Sequence, residues 1–146
     1  MLVPKENILT FIPQRRPIVM VDGLLEHSDA ASLSQLLITE DNIFVADGFF
    51  QMPGMVENIA QTAALRMGYA HMLQAKESGG APIAPPVGFI GEVKNLTIHF
   101  LPPVGSTINT KVELLHNVFT ASVIKGSVIY DGKIAADCEM KIFLQP

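Results

Sequence analysis

One change of periodicity in the middle of the chain constrains its fold more than any other feature. Over residues 53–74, apolar side chains recur at the three- and four-residue spacing of a helix. Pro53 suits the first turn, where a missing amide hydrogen costs nothing, and Gly79-Gly80 is typical of a helix end. Small residues on the inner side would let a sheet pack closely against this helix: Ala60, Ala63, Ala64 and Gly68.

Strand patterns lie on both sides of this helix. Residues 18–25 and 32–38 are short and rich in β-branched and aliphatic side chains, which predicts a first hairpin with a polar turn at 26–30. The proline-containing segment 79–86 predicts a loop, and residues 87–100 predict a long strand with a bulge near Gly91.

The second half of the chain shows only strands. Residues 108–116 alternate in polarity, which places His116 on the buried face. Asp131-Gly132 is a strong signal for a two-residue hairpin turn, since both residues tolerate the positive φ of a type I′ turn. The strand that follows has one apolar face, formed by Ile134, Ala136, Cys138, Met140 and Ile142.

One long helix, preceded by a hairpin and followed by three or four long strands, predicts an α+β domain in which an antiparallel sheet wraps around a central helix. This is the hot-dog fold. A length of 146 residues favours one domain covering residues 1–146. A ferredoxin-like sandwich is the main alternative, but it needs a second long helix, and the second half shows none.

The composition limits the possible partners. Hydrophobic residues make up 49% and charged residues 16%, so we expect part of the apolar surface to lie in an oligomer interface. The net charge of −4 argues against nucleic acid. No stretch is apolar for long enough to span a membrane and the N-terminus lacks a secretory pattern, so we expect a cytoplasmic protein. With Cys138 as the only cysteine and no metal-ligand spacing, we expect neither a metal nor another cofactor.

Three segments carry motifs of a known enzyme family. Residues 12–22 are IPQRRPIVMVD, similar to an opening Leu-Pro-His-Arg-x-Pro-x-Leu-Leu-Val-Asp. Residues 53–61 are PGMVENIAQ, similar to a Pro-Gly helix start followed by Glu-x-x-Ala-Gln, and residues 88–91, GFIG, are like a strand that passes a thioester. Together they resemble the β-hydroxyacyl-acyl-carrier-protein dehydratases of the hot-dog superfamily. The resemblance implies a thioester ligand carried by acyl carrier protein or coenzyme A.

The catalytic histidine of that family has no counterpart in this chain. The family has Gly-His-Phe-Pro just before the helix, whereas here the aligned residues place Phe49 where the histidine would be. Gln14 likewise replaces the histidine of the opening motif. The resemblance therefore supports fold and ligand class better than it supports dehydration.

Dehydration requires a base for the α-proton, an acid for the leaving hydroxyl, and donors for charge on the thioester oxygen. Glu57 could be the acid or base, and Gln61, one turn later, could hold its carboxylate or reach the ligand through water. The amides of Gly54 and Met55 are expected to be unpaired at the helix start, facing the thioester oxygen. We expect the rest of an apolar substrate tunnel to include Phe49, Phe89, Ile90 and Gly91.

Other interpretations of these residues remain open. Glu57 could do no more than complement the helix dipole, and Gln61 could be an ordinary polar contact in a dimer. Among the histidines, His27 is expected to be solvated in a turn, and His71 lies about four turns beyond Glu57. His99 is the one histidine considered as a substitute base.

The leading hypothesis is a dehydratase-like enzyme acting on 3-hydroxyacyl chains carried by acyl carrier protein or coenzyme A, in fatty-acid or polyene-type lipid synthesis. A thioesterase is the second, because one helical carboxylate can activate water without the missing histidine. The third is a non-catalytic acyl-binding module, or a subunit that pairs with a histidine-bearing relative. We expect a homodimer or a higher homo-oligomer, and a heterodimer with a histidine-bearing relative is the alternative.

Overall fold

The computed structural model describes residues 1–80 and 84–145 as one long helix against one large sheet. In chain order the elements are a 3-10 turn at Lys5–Asn7, α1 (Ile8–Phe11), β1 (Gly23–His27), β2 (Ala31–Leu37), β3 (Val45–Ala46), β4 (Phe49–Phe50), α2 (Met52–Glu77), β5 (Gly88–Ile98), β6 (Thr107–Val118), β7 (Ala121–Tyr130) and β8 (Lys133–Leu144). The large sheet has six antiparallel strands in the order β1-β2-β6-β7-β8-β5. The predicted α+β architecture is confirmed. The predicted loop at 79–86 lies partly outside the described residues.

The long helix α2 packs into the concave side of this sheet. Gln51 is its N-cap, Pro53 lies in its first turn, and Gly79 follows its end with φ +70°. Ile59 on its buried face contacts β7 so closely that a Cβ on Gly126 would lie 2.3 Å from the Ile59 Cγ2 atom. Glycine at position 126 therefore lets the helix reach the sheet. Among the described residues, no helix is both long and apolar enough to cross a membrane.

A group of buried polar side chains crosses the contact between helix and sheet. Asn58 is fully buried, and its Nδ2 donates to the backbone oxygen of Met20 at 2.8 Å. The Thr110 hydroxyl of β6 donates to the Asn58 Oδ1 at 2.5 Å, and the hydroxyls of Ser34 and Thr62 are 2.7 Å apart. We call Asn58, Thr62, Ser34 and Thr110 the polar seam. Because its hydrogen bonds are directional, the seam specifies how α2 sits on β2 and β6.

The first predicted strand is wrong over residues 18–22, since β1 begins only at Gly23. Backbone groups of Ile18 and Met20 bond to side chains of α2 instead of to a neighbouring strand. The bulge predicted near Gly91 is confirmed by a register shift between Ile90 and Glu92.

The later strands follow the predicted pattern except where they bulge. Asp131 and Gly132 have φ of 51° and 73°, which confirms the hairpin turn. Ile134, the first residue of the predicted apolar row, is 44% exposed, so its predicted burial is wrong. The reason is a register shift between Val128 and Ile129, which turns Ile134 to the opposite face of the sheet. The rest of that row is buried, and burial raises the pKa of the Cys138 thiol to about 11.

Two histidine predictions are also wrong. A register shift between Leu114 and His116 turns the His116 side chain to the exposed face of the sheet. His27 is partly buried at the end of β1, where its Nδ1 lies 2.8 Å from the Ser32 hydroxyl. Burial, and then the nearby charge of Arg66, lower the pKa of His27.

Candidate active site

Glu57 lies in the second turn of α2 and is partly buried. The first turn of this helix contains no acidic residue. The effect of the helix dipole falls off within the first turn. Complementation of the dipole alone therefore explains poorly why a carboxylate lies at position 57. Its Oε1 accepts a hydrogen bond of 2.9 Å from the Gln61 Nε2, one turn further along the helix.

Gln61 is fully buried and its carboxamide is held by hydrogen bonds on both sides. Its Oε1 accepts from the backbone N–H of Met20 at 2.6 Å, while its Nε2 also donates to the backbone oxygen of Ile18 at 2.7 Å. These partners fix the orientation of the Gln61 amide. The Gln61 Nε2 is therefore the atom that donates to the Glu57 carboxylate. Gln61 thus orients the Glu57 carboxylate, which was one of the roles predicted for it.

A cleft of about 240 Å³ opens beside Glu57, between α2 and β5. The polar side chains that line it are Glu57 and Gln14. Its apolar walls come from α2, β5 and β8, chiefly Ala60, Ala64, Met67, Phe89, Ile90 and Ile142. A carboxylate at the wall of an apolar cleft suits a ligand with a hydrocarbon chain and one reactive polar end.

The structure brings together only some of the residues predicted for the site. Glu57, Phe89 and Ile90 share the cleft, with Gln61 behind them. Phe49 lies elsewhere, in β4, and bridges to Pro103. Gly91 lies beneath the ring of Phe143, since a Cβ on it would be 2.2 Å from that ring.

The predicted oxyanion donors are wrong, because the amides of Gly54 and Met55 are already paired. Both donate to the backbone oxygen of Gln51, at 3.0 and 3.2 Å. The helix begins at Met52, so the Gln51 carbonyl is its first acceptor and satisfies these groups. Gly54 faces Phe44 and Phe50, and Met55 is fully buried in the core.

No histidine occurs among the described residues that line the cleft. His99, the substitute base considered from the sequence, follows the end of β5, where its Nε2 lies 3.3 Å from the Asp137 Oδ2. His116 lines a separate groove with Glu92, Lys94 and Glu139. Among the described residues that line the cleft, Glu57 is therefore the one acid or base, and none supplies the second group that dehydration needs.

Gln14 is the site residue that the sequence argument missed. It was noted only as the replacement for a histidine in the opening motif, yet its side chain lines the cleft that contains Glu57. Its Oε1 is buried and has no hydrogen-bond partner among the described residues. The sequence contained one signal for it. The residue before Arg15 is polar both in this chain, where it is Gln14, and in the family motif, where it is a histidine.

The comparisons with known proteins agree with this architecture. The ApeP-like family, described as ApeP dehydratase, matches residues 6–146. No curated protein matches the sequence.

Among solved structures, the chain resembles the dehydratase heterocomplex ApeI:P from Xenorhabdus doucetiae, with a TM-score of 0.75, 16% identity, and coverage of 95% of this chain and 91% of that one. It also resembles smu.793 from Streptococcus mutans, solved with acetyl CoA (TM-score 0.67, 11% identity, 92% and 95% covered). A third is a hypothetical thioesterase from Streptococcus pneumoniae, solved with coenzyme A (TM-score 0.63, 10% identity, 84% of each chain covered). At such identities these structures show the fold alone, which is the hot-dog fold. The family match covers nearly the whole sequence, and this chain belongs to the ApeP-like dehydratase family.

Proposed function

We propose that this chain binds 3-hydroxyacyl thioesters beside Glu57 and takes part in their dehydration. We further propose that acyl carrier protein or coenzyme A carries these chains, in fatty-acid or polyene-type lipid synthesis. The observation that carries the proposal is a carboxylate fixed by Gln61 at the wall of an apolar cleft. Membership of a dehydratase family supports the same class of reaction.

The reaction needs one group more than this cleft provides. A base removes the α-proton, the C3–O bond breaks as an acid protonates the leaving hydroxyl, and a C2–C3 double bond and water form. Glu57 can serve as one of the two groups. We propose that a histidine from a second, related subunit supplies the other. The heterocomplex solved for the Xenorhabdus doucetiae dehydratase supports such a two-protein arrangement.

The edge strand β5 supports the proposed pairing of subunits. It lies at the end of the six-stranded sheet, and it exposes large apolar side chains on both faces: Phe89, Ile90, Val93, Leu96 and Ile98. An exposed apolar edge strand favours pairing with another chain.

We expect the chain to form dimers with sheets joined at β5 and helices side by side. Sedimentation at micromolar concentration measures this, and a monomer would contradict it.

The proposed function is tested by product analysis with 3-hydroxyacyl thioesters of acyl carrier protein and of coenzyme A. We expect an enoyl thioester from a mixture of this chain with a histidine-bearing hot-dog relative, and little from either protein alone. The control is the same mixture in which the relative's histidine is replaced by alanine, which should be inactive. A free thiol released by this chain alone would establish the thioesterase instead. Binding without either product in any mixture would leave a non-catalytic acyl-binding protein.

A further inference from the structure

We propose that Thr110 is a positioning residue for the reaction, because its hydroxyl on β6 holds Glu57 in place through three other residues. These are Asn58, Met20 and Gln61, and with Thr110 we call them the buried network. The inference rests on the proposed function, since it concerns the carboxylate of the same cleft. It adds a residue that neither the motifs nor the family resemblance assigns, and Thr110 is not among the described residues that line the cleft.

The first step is the place of Thr110 in β6. It lies on the inner face of the strand between Ile108 and Val112, and all three side chains are fully buried. Valine has the same branched shape without a polar atom, so packing alone would favour valine at this position. A buried hydroxyl loses its hydration, and this costs free energy unless the group is hydrogen-bonded. The hydrogen bond from Thr110 to the Asn58 Oδ1 is the contact that offsets this cost.

The second step is that four hydrogen bonds lead from Thr110 to Glu57. The Thr110 Oγ1 donates to the Asn58 Oδ1 at 2.5 Å, and the Asn58 Nδ2 donates to the backbone oxygen of Met20 at 2.8 Å. The backbone N–H of Met20 donates to the Gln61 Oε1 at 2.6 Å, and the Gln61 Nε2 donates to the Glu57 Oε1 at 2.9 Å. No residue of the buried network is more than 1% exposed, so water cannot replace a lost bond within it.

The third step is that the backbone of Met20 fixes the direction of every bond. A backbone oxygen can only accept and a backbone N–H can only donate, so Met20 meets the nitrogen of Asn58 and the oxygen of Gln61. Each carboxamide is thereby held in one of its two orientations. The Asn58 oxygen faces Thr110, which must donate, and the Gln61 nitrogen faces Glu57. Hydrogen bonds joined in this way strengthen one another in a buried environment.

The fourth step is the effect of removing the hydroxyl. The Asn58 Oδ1 would be left buried without its donor, and Asn58 would hold the backbone of Met20 less firmly. Gln61 depends on Met20 for its orientation, and Gln61 is the side-chain donor to Glu57 among the described residues. A displacement of a reacting group by about 1 Å can cost about 10²-fold in rate, even when the mutation is remote.

The test measures turnover of 3-hydroxyacyl thioesters by Thr110 variants in whichever mixture of subunits is active. Thr110→Val, which keeps the shape and removes the hydroxyl, should lower kcat by about 10- to 100-fold. KM should hardly change, because the walls of the cleft are untouched. Thr110→Ser keeps the hydroxyl and should retain wild-type turnover, and Thr110→Cys, with a weak donor, should fall between the two. Circular dichroism at the assay temperature checks folding. If the valine variant does not fold, the serine and cysteine variants still make the comparison.

Two controls separate positioning of Glu57 from a general effect on the fold. Ser34→Ala removes another buried hydroxyl of the contact between helix and sheet, 2.7 Å from that of Thr62 and outside the buried network, so it should keep wild-type turnover. Thr110→Val added to Glu57→Gln should cause no further loss, because the network acts through Glu57.

Three outcomes would overturn the role of Thr110 while the proposed function stands. They are full turnover by Thr110→Val, an equal loss in Ser34→Ala, and an additive loss in the double variant. A wild-type protein that releases free thiol would overturn the proposed dehydration, and the same variants then test Thr110 on that product. If the wild-type protein gives neither product in any mixture, both proposals fail.

Discussion

Replacing Glu57 by Gln should lower acyl-thioester turnover by about 10²- to 10⁴-fold, the usual contribution of a positioned acid or base. The free energy of unfolding should hardly change. The oxygen of the new amide can accept the same hydrogen bond from the Gln61 Nε2 that the Glu57 Oε1 accepts at 2.9 Å. Turnover is measured as enoyl thioester or free thiol, in whichever mixture of subunits is active.

The matched control for this experiment is Glu77→Gln, which removes a carboxylate from the exposed last residue of the same helix. Its turnover should equal that of the wild type. The Glu57→Gln protein should still bind acyl thioesters, because the apolar walls of the cleft are unchanged. Full turnover by Glu57→Gln would show that Glu57 takes no part in catalysis, and the site assignment would be wrong.

Replacing Asn58 by Leu should lower the free energy of unfolding by about 2–6 kcal/mol. The substitution leaves the backbone oxygen of Met20 and the hydroxyl of Thr110 buried without their shared partner. Each orphaned group costs about 1–3 kcal/mol, because its hydration is lost and nothing replaces it. Denaturant unfolding followed by circular dichroism gives the loss directly.

Two variants show whether the loss comes from orphaned polar groups. Thr110→Val added to Asn58→Leu removes one orphan, so the double variant should recover about 1 kcal/mol. Asn117→Leu makes the same change at an exposed residue of β6, where only a contact with Ser122 is lost. It should change stability by no more than about 0.5 kcal/mol. A loss of similar size in both single variants would mean that the polar seam has no special role.

The elements that the sequence predicted well are those with local signals. The helix follows from its period and its terminal Pro53 and Gly79, and the last hairpin follows from Asp131-Gly132, whose positive φ values need residues of that type. The predicted strand over 18–22 failed because its backbone partners are side chains of α2, some forty residues away in the chain. Apolar alternation alone cannot show such a competition between tertiary contacts and strand pairing.

The site was predictable where the motif specified both spacing and residue type. Glu57 and Gln61 stand one helical turn apart, so their contact followed from the sequence. The prediction for Gly54 and Met55 failed because the helix starts at Met52, one residue earlier than expected. The Gln51 carbonyl is therefore in place to accept hydrogen bonds from both amides. Gln14 could not be found by spacing, because only the folded chain places it in the cleft with Glu57.

The order of strands in the sheet has a consequence for how the chain is made. β5 comes directly after the long helix in sequence, yet its partner within the chain is β8, the last strand. A ribosome therefore releases β5 long before any strand that can pair with it exists. Until β8 has been synthesised, the apolar row from Phe89 to Ile98 lacks its neighbour in the sheet. Such a long-range pairing forms slowly, and the nascent chain is most exposed to aggregation during that interval.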